Sequence, residues 1–167
     1  MIFENSMRKT IIKLLFLIII VISILGLIYI NYQSDINAIN NINVSLNKVD
    51  VNDIKITSFK LNFNVEIFNP SDRDIIDLST DFNIYIENNY VGEGNFSNIN
   101  IPNKTNLSKD IIITVFYDGL ADATVDVIKK ILNEGEFKIE IKGTLYAKAL
   151  FGLSLIEQNY IASKIYK

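Results

Sequence analysis

Four aspartates, Asp72, Asp74, Asp77 and Asp81, fall within ten residues, and carboxylates at that density are the donors a hard cation such as calcium takes. Their spacing does not follow the twelve-residue calcium loop, in which oxygen donors alternate and then meet a glycine. A solvated acidic turn is therefore the leading expectation, with Asp72, Asp74 and Asp77 kept as a secondary calcium candidate. Asp118, Asp122 and Asp126 recur every fourth residue, which places negative charge where a helix N-terminus favours it. The 167 residues include no cysteine, histidine or tryptophan. That excludes disulfides, thiol nucleophiles, the usual zinc sites and every triad that needs an imidazole. Phosphate-binding loops, dinucleotide glycine patterns and nucleophile elbows are absent too. No catalytic residue, enzyme class or cofactor is assigned.

Asparagine offers a different chemistry. Four N-x-S/T sequons begin at Asn43, Asn95, Asn103 and Asn106. Glycosylation needs an accessible acceptor on an exported domain, so Asn103 and Asn106, which read as loop residues, are the candidates.

The element that decides which compartment these groups face is near the N-terminus. Ile11 to Ile30 reads IIKLLFLIIIVISILGLIYI, twenty residues that as a helix span roughly 30 Å, the thickness of a bilayer core. Lys13 can snorkel from the first turn, and Tyr29 and Tyr32 fall where an aromatic belt sits. Arg8, Lys9 and Lys13 flank one end and Asp35 the other. The positive-inside rule then keeps residues 1–10 as a cytoplasmic tail and puts the rest outside. A cleaved signal peptide is the competing reading, but the run is long for one, and residues 27–33, LIYINYQ, contain no small-x-small cleavage site. Residues 31–41, NYQSDINAINN, show neither helical nor strand periodicity and read as a linker reaching at most roughly 36 Å.

Residues 42–167 read as one β-rich domain. Phe59, Leu61, Phe63, Val65 and Ile67 alternate with polar residues, the period of a half-buried strand, which Asn69-Pro70 ends. Phe82, Ile84 and Ile86 form a second alternating run, joined through Asn88-Asn89 to Tyr90 to Asn98 as in a tight hairpin. Ile42, Val44 and Leu46, then Val49 and Val51, give a first strand with a change of phase near Asn47 or Lys48, as at a bulge. Lys109 to Tyr117 is apolar on both parities, so something should cover its second face. The candidate cover is a helix over Gly119 to Asn133, with Asp118 as N-cap and Gly135 as stop. Phe137 to Leu145 and Leu153 to Tyr166 supply the last strands. About seven strands with one inserted helix make an immunoglobulin-like or fibronectin-III-like β-sandwich behind a transmembrane helix.

Short motifs occur along this domain in a telling order: "IFNP" at Ile67 to Pro70, "VGEG" at Val91 to Gly94, "IPNK" at Ile101 to Lys104 and "GTLY" at Gly143 to Tyr146. In that order the chain resembles the water stress and hypersensitive response (WHy) domain of the group 2 late embryogenesis abundant proteins, in its prokaryotic membrane-anchored form. The resemblance covers about residues 42–167. It carries over Asn69, Pro70, Gly92, Gly94, Pro102 and Gly143 as family-motif positions, with Ser71 where the family often has a second asparagine. Turn and bulge chemistry accounts for the same residues without any ligand.

Three residues before position 31 are basic beyond doubt of charge, Arg8, Lys9 and Lys13, against one acid, Glu4; the remainder carries 13 Lys and Arg against 18 Asp and Glu, a balance of −5. Nucleic acid is not an expected partner. The resemblance implies a non-enzymatic, extracytoplasmic domain protecting membrane or stress-labile proteins during desiccation or osmotic stress. Two other classes stay open. One is a lipid-binding or lipid-transfer module whose groove is lined by Phe68, Tyr85, Tyr90, Phe96 and Phe116. The other is a cell-surface scaffold or adhesion domain.

Overall fold

The computed structural model describes residues 2–117 and 135–166. Its first element, α1, runs unbroken from Ile2 to Asn40. Every residue from Ile11 to Ile30 is exposed, and an 18-residue window of this helix reaches a mean hydropathy of 3.2 with none of it buried. By length and hydropathy this unburied helix is long and apolar enough to cross a membrane. Its polar side chains are satisfied from within: Ser23 Oγ, Asn31 Nδ2 and Ser34 Oγ each donate to the carbonyl four residues earlier, at 2.8–2.9 Å. That local bonding lets them sit in or beside an apolar stretch.

Residues 31–40 depart from the irregular linker expected of them. They continue α1, and Ala38 and Ile39 are 3% and 2% exposed, packed with Ile42 in the core of the domain. Only two or three apolar side chains are needed to dock so short a stretch, too few to set a visible period. Gln158 Nε2 donates to Asn40 O at the helix end, one of the carbonyls that a terminus leaves without a partner.

Seven strands follow among the described residues: β1 (Asn43–Asn52), β2 (Ser58–Phe68), β3 (Ile75–Ile86), β4 (Asn89–Ile101), β5 (Asn106–Phe116), β6 (Phe137–Ala149) and β7 (Ser154–Tyr166). They form two antiparallel sheets ordered β1-β2-β5 and β4-β3-β6-β7. β4 lies beside β3 instead of β5, so the division is three plus four and differs from the ABED/CFG pattern of immunoglobulin constant domains. The expected phase change in β1 is a register shift between Leu46 and Lys48. The β3–β4 turn is one residue earlier than the Asn88-Asn89 pair suggests: Glu87 and Asn88 have φ of 47° and 68°, and Ile86 faces Asn89. Two consecutive positive φ angles match the twist of the flanking strands. On β5, Val115 is buried, whereas Ile112 and Phe116 on the other parity are exposed at 66% and 57%. The helix expected over 119–133, with its cap at Asp118, lies outside the described residues.

Phe59, Leu61, Phe63, Val65 and Ile67 of β2 are each at most 1% exposed, and side chains of this kind contribute about 1.5–3 kcal/mol each on burial. Opposite them, Phe82 fills the centre of the other sheet, edge-on to Phe63 with ring centroids 6.4 Å apart. Its partners on the two neighbouring strands are both glycines, Gly94 and Gly143. A Cβ at Gly94 would lie 2.5 Å from the Phe82 ring, and one at Gly143 would lie 2.7 Å from both Asp81 O and Phe82 Cβ and 2.8 Å from Tyr160 Oη. Gly143 also leaves room for the β7 residue Tyr160 to reach across β6 and meet Thr80 Oγ1 at 3.1 Å. Gly92 is different, with Ile113 Cδ1 3.6 Å from a Cβ, an ordinary contact.

Gly143→Ala should therefore lower stability by about 1–3 kcal/mol, the usual cost of overpacking, and Gly92→Ala should not, as read from urea midpoints of the two variants. Burial pushes the Tyr160 hydroxyl up from 10.0 to about 12. An acid whose pKa is raised by folding stabilises fully below its unfolded pKa and loses that contribution as pH rises through the folded one. Wild-type stability should thus decline between pH 10 and about 12, and Tyr160→Phe should flatten that part of the profile.

Candidate functional site

At one end of the sandwich, four segments meet: the last turns of α1, the β2–β3 loop, the β4–β5 loop and the β6–β7 turn. Asn69, fully buried, organises two of them. Its Nδ2 is 2.7 Å from Arg73 O, 3.1 Å from Pro102 O and 3.3 Å from Ile101 O, and its Oδ1 accepts from Ser71 N and Ser71 Oγ at 3.1 and 2.7 Å. The backbone closes the same contact, with Asn69 N donating to Thr105 O and Lys104 N to Ser71 O. One amide thus satisfies backbone groups that would otherwise be stranded where two loops cross. Pro70 ends β2, and Pro102 supplies a carbonyl to both Asn69 and Thr105 Oγ1.

Asp35 joins the helix to this end. Its Oδ1 accepts from Arg73 Nη2 and Nε at 2.7 and 3.0 Å, and its Oδ2 accepts from Leu150 N at 2.9 Å. Arg73 Nη2 also donates to Asn31 Oδ1 at 3.1 Å. The Asp35 side chain is 22% exposed and that of Arg73 39%, so the pair is partly shielded and its hydrogen bonds outweigh those of a free surface pair. Between the helix and the sandwich lies a hollow of about 670 Å³, reached by Asn31, Asp35, Arg73, Ile76 and Phe151 among others.

The acidic residues do not converge. Asp72 pairs with Lys104, Asp74 Oδ1 accepts from Asn103 N and Nδ2, and Asp77 Oδ2 accepts from Lys148 Nζ. Asp77 and Asp81 belong to β3 instead of the preceding loop. No three His, Cys, Asp or Glu residues among those described are arranged to hold a metal ion. Asn103 is exposed in the β4–β5 turn, whereas Asn106 is the first residue of β5 and faces Phe68.

The five aromatic residues considered as a groove are dispersed. Tyr85 and Tyr90 meet edge-on at 6.0 Å across β3 and β4, and Lys142 Nζ sits 4.8 Å from the Tyr85 ring centre. Phe96 packs on Phe82, while Phe68 and Phe116 belong to the other sheet. A second, wider hollow of about 810 Å³ is lined by residues of β3, β4, β6 and β7, including Asp81, Glu93, Lys142 and Asn159. Nearby, hydrogen bonds from Lys138 and Lys142 hold the Glu140 carboxyl below its usual range, which makes it a fixed acceptor and a poor base at neutral pH.

Asn31, Arg73, Leu150 and Phe151 carry no chemical signal in the sequence, and Asp35 stands out there only as the first charge after the apolar run. The available signal was the apolar run Leu150-Phe151-Gly152-Leu153 in a position that periodicity assigns to a turn.

No family model matches the chain, and no curated protein matches it in sequence. Solved structures do. One is the solution structure of an Arabidopsis thaliana protein, 17% identical with a TM-score of 0.57, the match covering 74% of this chain and 80% of that one. Another is the solution structure of a protein described as late embryogenesis abundant, 10% identical with a TM-score of 0.50, covering 89% and 83% respectively. At these identities the likeness is one of fold, and the fold is of the late embryogenesis abundant type.

Asn69→Leu keeps a similar volume but strands the carbonyls of Arg73, Ile101 and Pro102, so it should cost about 1–3 kcal/mol in urea unfolding. Asn103→Gln, which removes only the exposed side-chain bond to Asp74 and keeps the backbone one, should stay within about 0.5 kcal/mol of wild type.

Proposed function

We propose that this chain is a non-enzymatic, membrane-anchored domain of the water stress and hypersensitive response kind, held on the extracytoplasmic face to protect membrane or stress-labile proteins as water is withdrawn. The observation that carries the reading is the union of a membrane-length apolar helix with a sandwich of the late embryogenesis abundant type. The union has no flexible joint, because Ile39 of α1 is buried in the domain core.

Four features support the parts. Cleavage after Ile39 would remove both Tyr32 and Ile39 from the core they pack in, and cleavage between the two would remove Tyr32; continuity of the helix from the apolar run into that core favours a retained anchor over a signal peptide. Arg8, Lys9 and Lys13 at the start of the apolar run favour a cytoplasmic N-terminus, residues 1–10, with 42–167 outside. Asn69, Pro70, Gly94, Pro102 and Gly143 all have structural duties, as expected of motif residues in a domain without a reaction to perform. The charged surface is acidic overall and carries several local ion pairs, suited to staying hydrated and apart from its neighbours. Dispersal of Phe68, Tyr85, Tyr90, Phe96 and Phe116 over two sheets favours the protective reading over a lipid carrier with a groove built from these rings.

Because the chain has no cysteine, orientation is directly readable: Ile56→Cys should react with a membrane-impermeant maleimide on intact cells, while Ser6→Cys should react only after lysis. The reverse pattern would refute the extracytoplasmic placement. Loss of the gene should reduce survival after drying and after osmotic shock; unchanged survival in both would refute the protective role.

A further inference from the structure

The β6–β7 turn carries apolar side chains where a soluble protein would place polar ones. Phe151 is 92% exposed and Leu153 82%, and Ile76 and Leu155, register partners of Lys148 on its two sides, are 56% and 60% exposed. Isolated apolar residues on a surface need no explanation, but a contiguous set marks a contact. The backbone adds a second observation. Leu150, Phe151 and Gly152 have φ of 50°, 57° and 87°, a left-handed conformation that is costly for leucine and phenylalanine. The turn is held there by Leu150 N donating to Asp35 Oδ2.

That bond also sets the depth of the turn. Asp35 is five residues beyond Ile30, the end of the apolar run, which is about 7.5 Å along the helix axis. The headgroup layer on each side of a bilayer core is about 5–8 Å thick. Phe151 lines the same hollow as Asn31, one residue past the apolar run, so the tip is level with the headgroups. From this placement we infer that the Leu150–Leu153 turn, with Phe151 and Leu153 leading, is a second membrane contact that inserts into the interface of the bilayer α1 crosses. Helix and tip together then fix the domain against the membrane at two points, and its orientation relative to the surface is set. Aromatic and leucine side chains are the types that partition into this layer. The inference rests on the membrane-anchored reading proposed above.

The chain contains no tryptophan, so single substitutions report without background from that residue. Full-length Phe151→Trp, Ile56→Trp and Ile20→Trp would be reconstituted into phosphatidylcholine vesicles containing lipids brominated at shallow or deep positions. Ile56, 97% exposed in the β1–β2 loop at the opposite end of the sandwich, is the water-facing control, and Ile20 reports on the span. The expected result is deep quenching of Ile20→Trp, shallow quenching and blue-shifted emission for Phe151→Trp, and neither for Ile56→Trp. Phe151→Trp behaving like Ile56→Trp while Ile20→Trp is quenched would overturn the second contact alone. Escape of Ile20→Trp from quenching would overturn the anchor and the inference with it. Leu153→Trp repeats the measurement should circular dichroism show Phe151→Trp to be misfolded.

Discussion

The sandwich depends on a helix that does not stop where its apolar run stops. Residues beyond Ile30 keep their helical bonds to Asn40, and the last turns bury Ala38 and Ile39 in the core. Asp35 then binds Arg73 and Leu150 from two separate loops. A carboxylate with both oxygens engaged, partly shielded from water, holds its partners more firmly than a surface ion pair does. The consequence is mechanical: the angle and distance between α1 and the sheets are set by packing, and a rotation of the helix would expose Ile39 and break together the three hydrogen bonds that Asp35 accepts. In the proposed reading, a domain so joined stands at a fixed height above the bilayer.

The polar residues that look most like a motif act through structure. Asn69 replaces solvent for three carbonyls at a loop crossing, which a hydrophobic residue cannot do and a charged residue would do at a desolvation cost. Gly94 and Gly143 flank Phe82 because a large ring at the centre of a sheet needs its neighbours' side chains removed. Tyr160 then uses the space over Gly143 to reach Thr80. Ordered motifs of this kind preserve a fold without a ligand, which is consistent with the absence of histidine and cysteine and with Asp72, Asp74 and Asp77 each bonded to a different lysine or amide.

Much of this was legible in the residues. Strict alternation from Phe59 to Ile67, the phase change in β1 and the stop at Asn69-Pro70 all depend on neighbours along the chain, and all appear in the structure close to where the pattern puts them. The hairpin was legible too, displaced by one residue because Glu87 takes a positive φ that asparagine would be expected to take. Illegible were the helical continuation through residues 31–40 and the burial of Ile39, since one side chain finding a pocket leaves no period. Exposure of Ile112 and Phe116 was equally hidden: an apolar residue on an outer parity reads the same whether covered or bare.

By itself the sequence determined the length and hydropathy of the apolar run, the strand periodicity and the chemistry that is missing, because these are properties of composition and of residues a few positions apart. Only tertiary structure decided that Asp35 meets Arg73 and Leu150, that Asn69 crosses to Pro102 and that Phe151 lines the same hollow as Asn31. Those groups are tens of residues apart, and what brings them together is the pairing of seven strands and the docking of one helix, whose free energy is summed over the whole core.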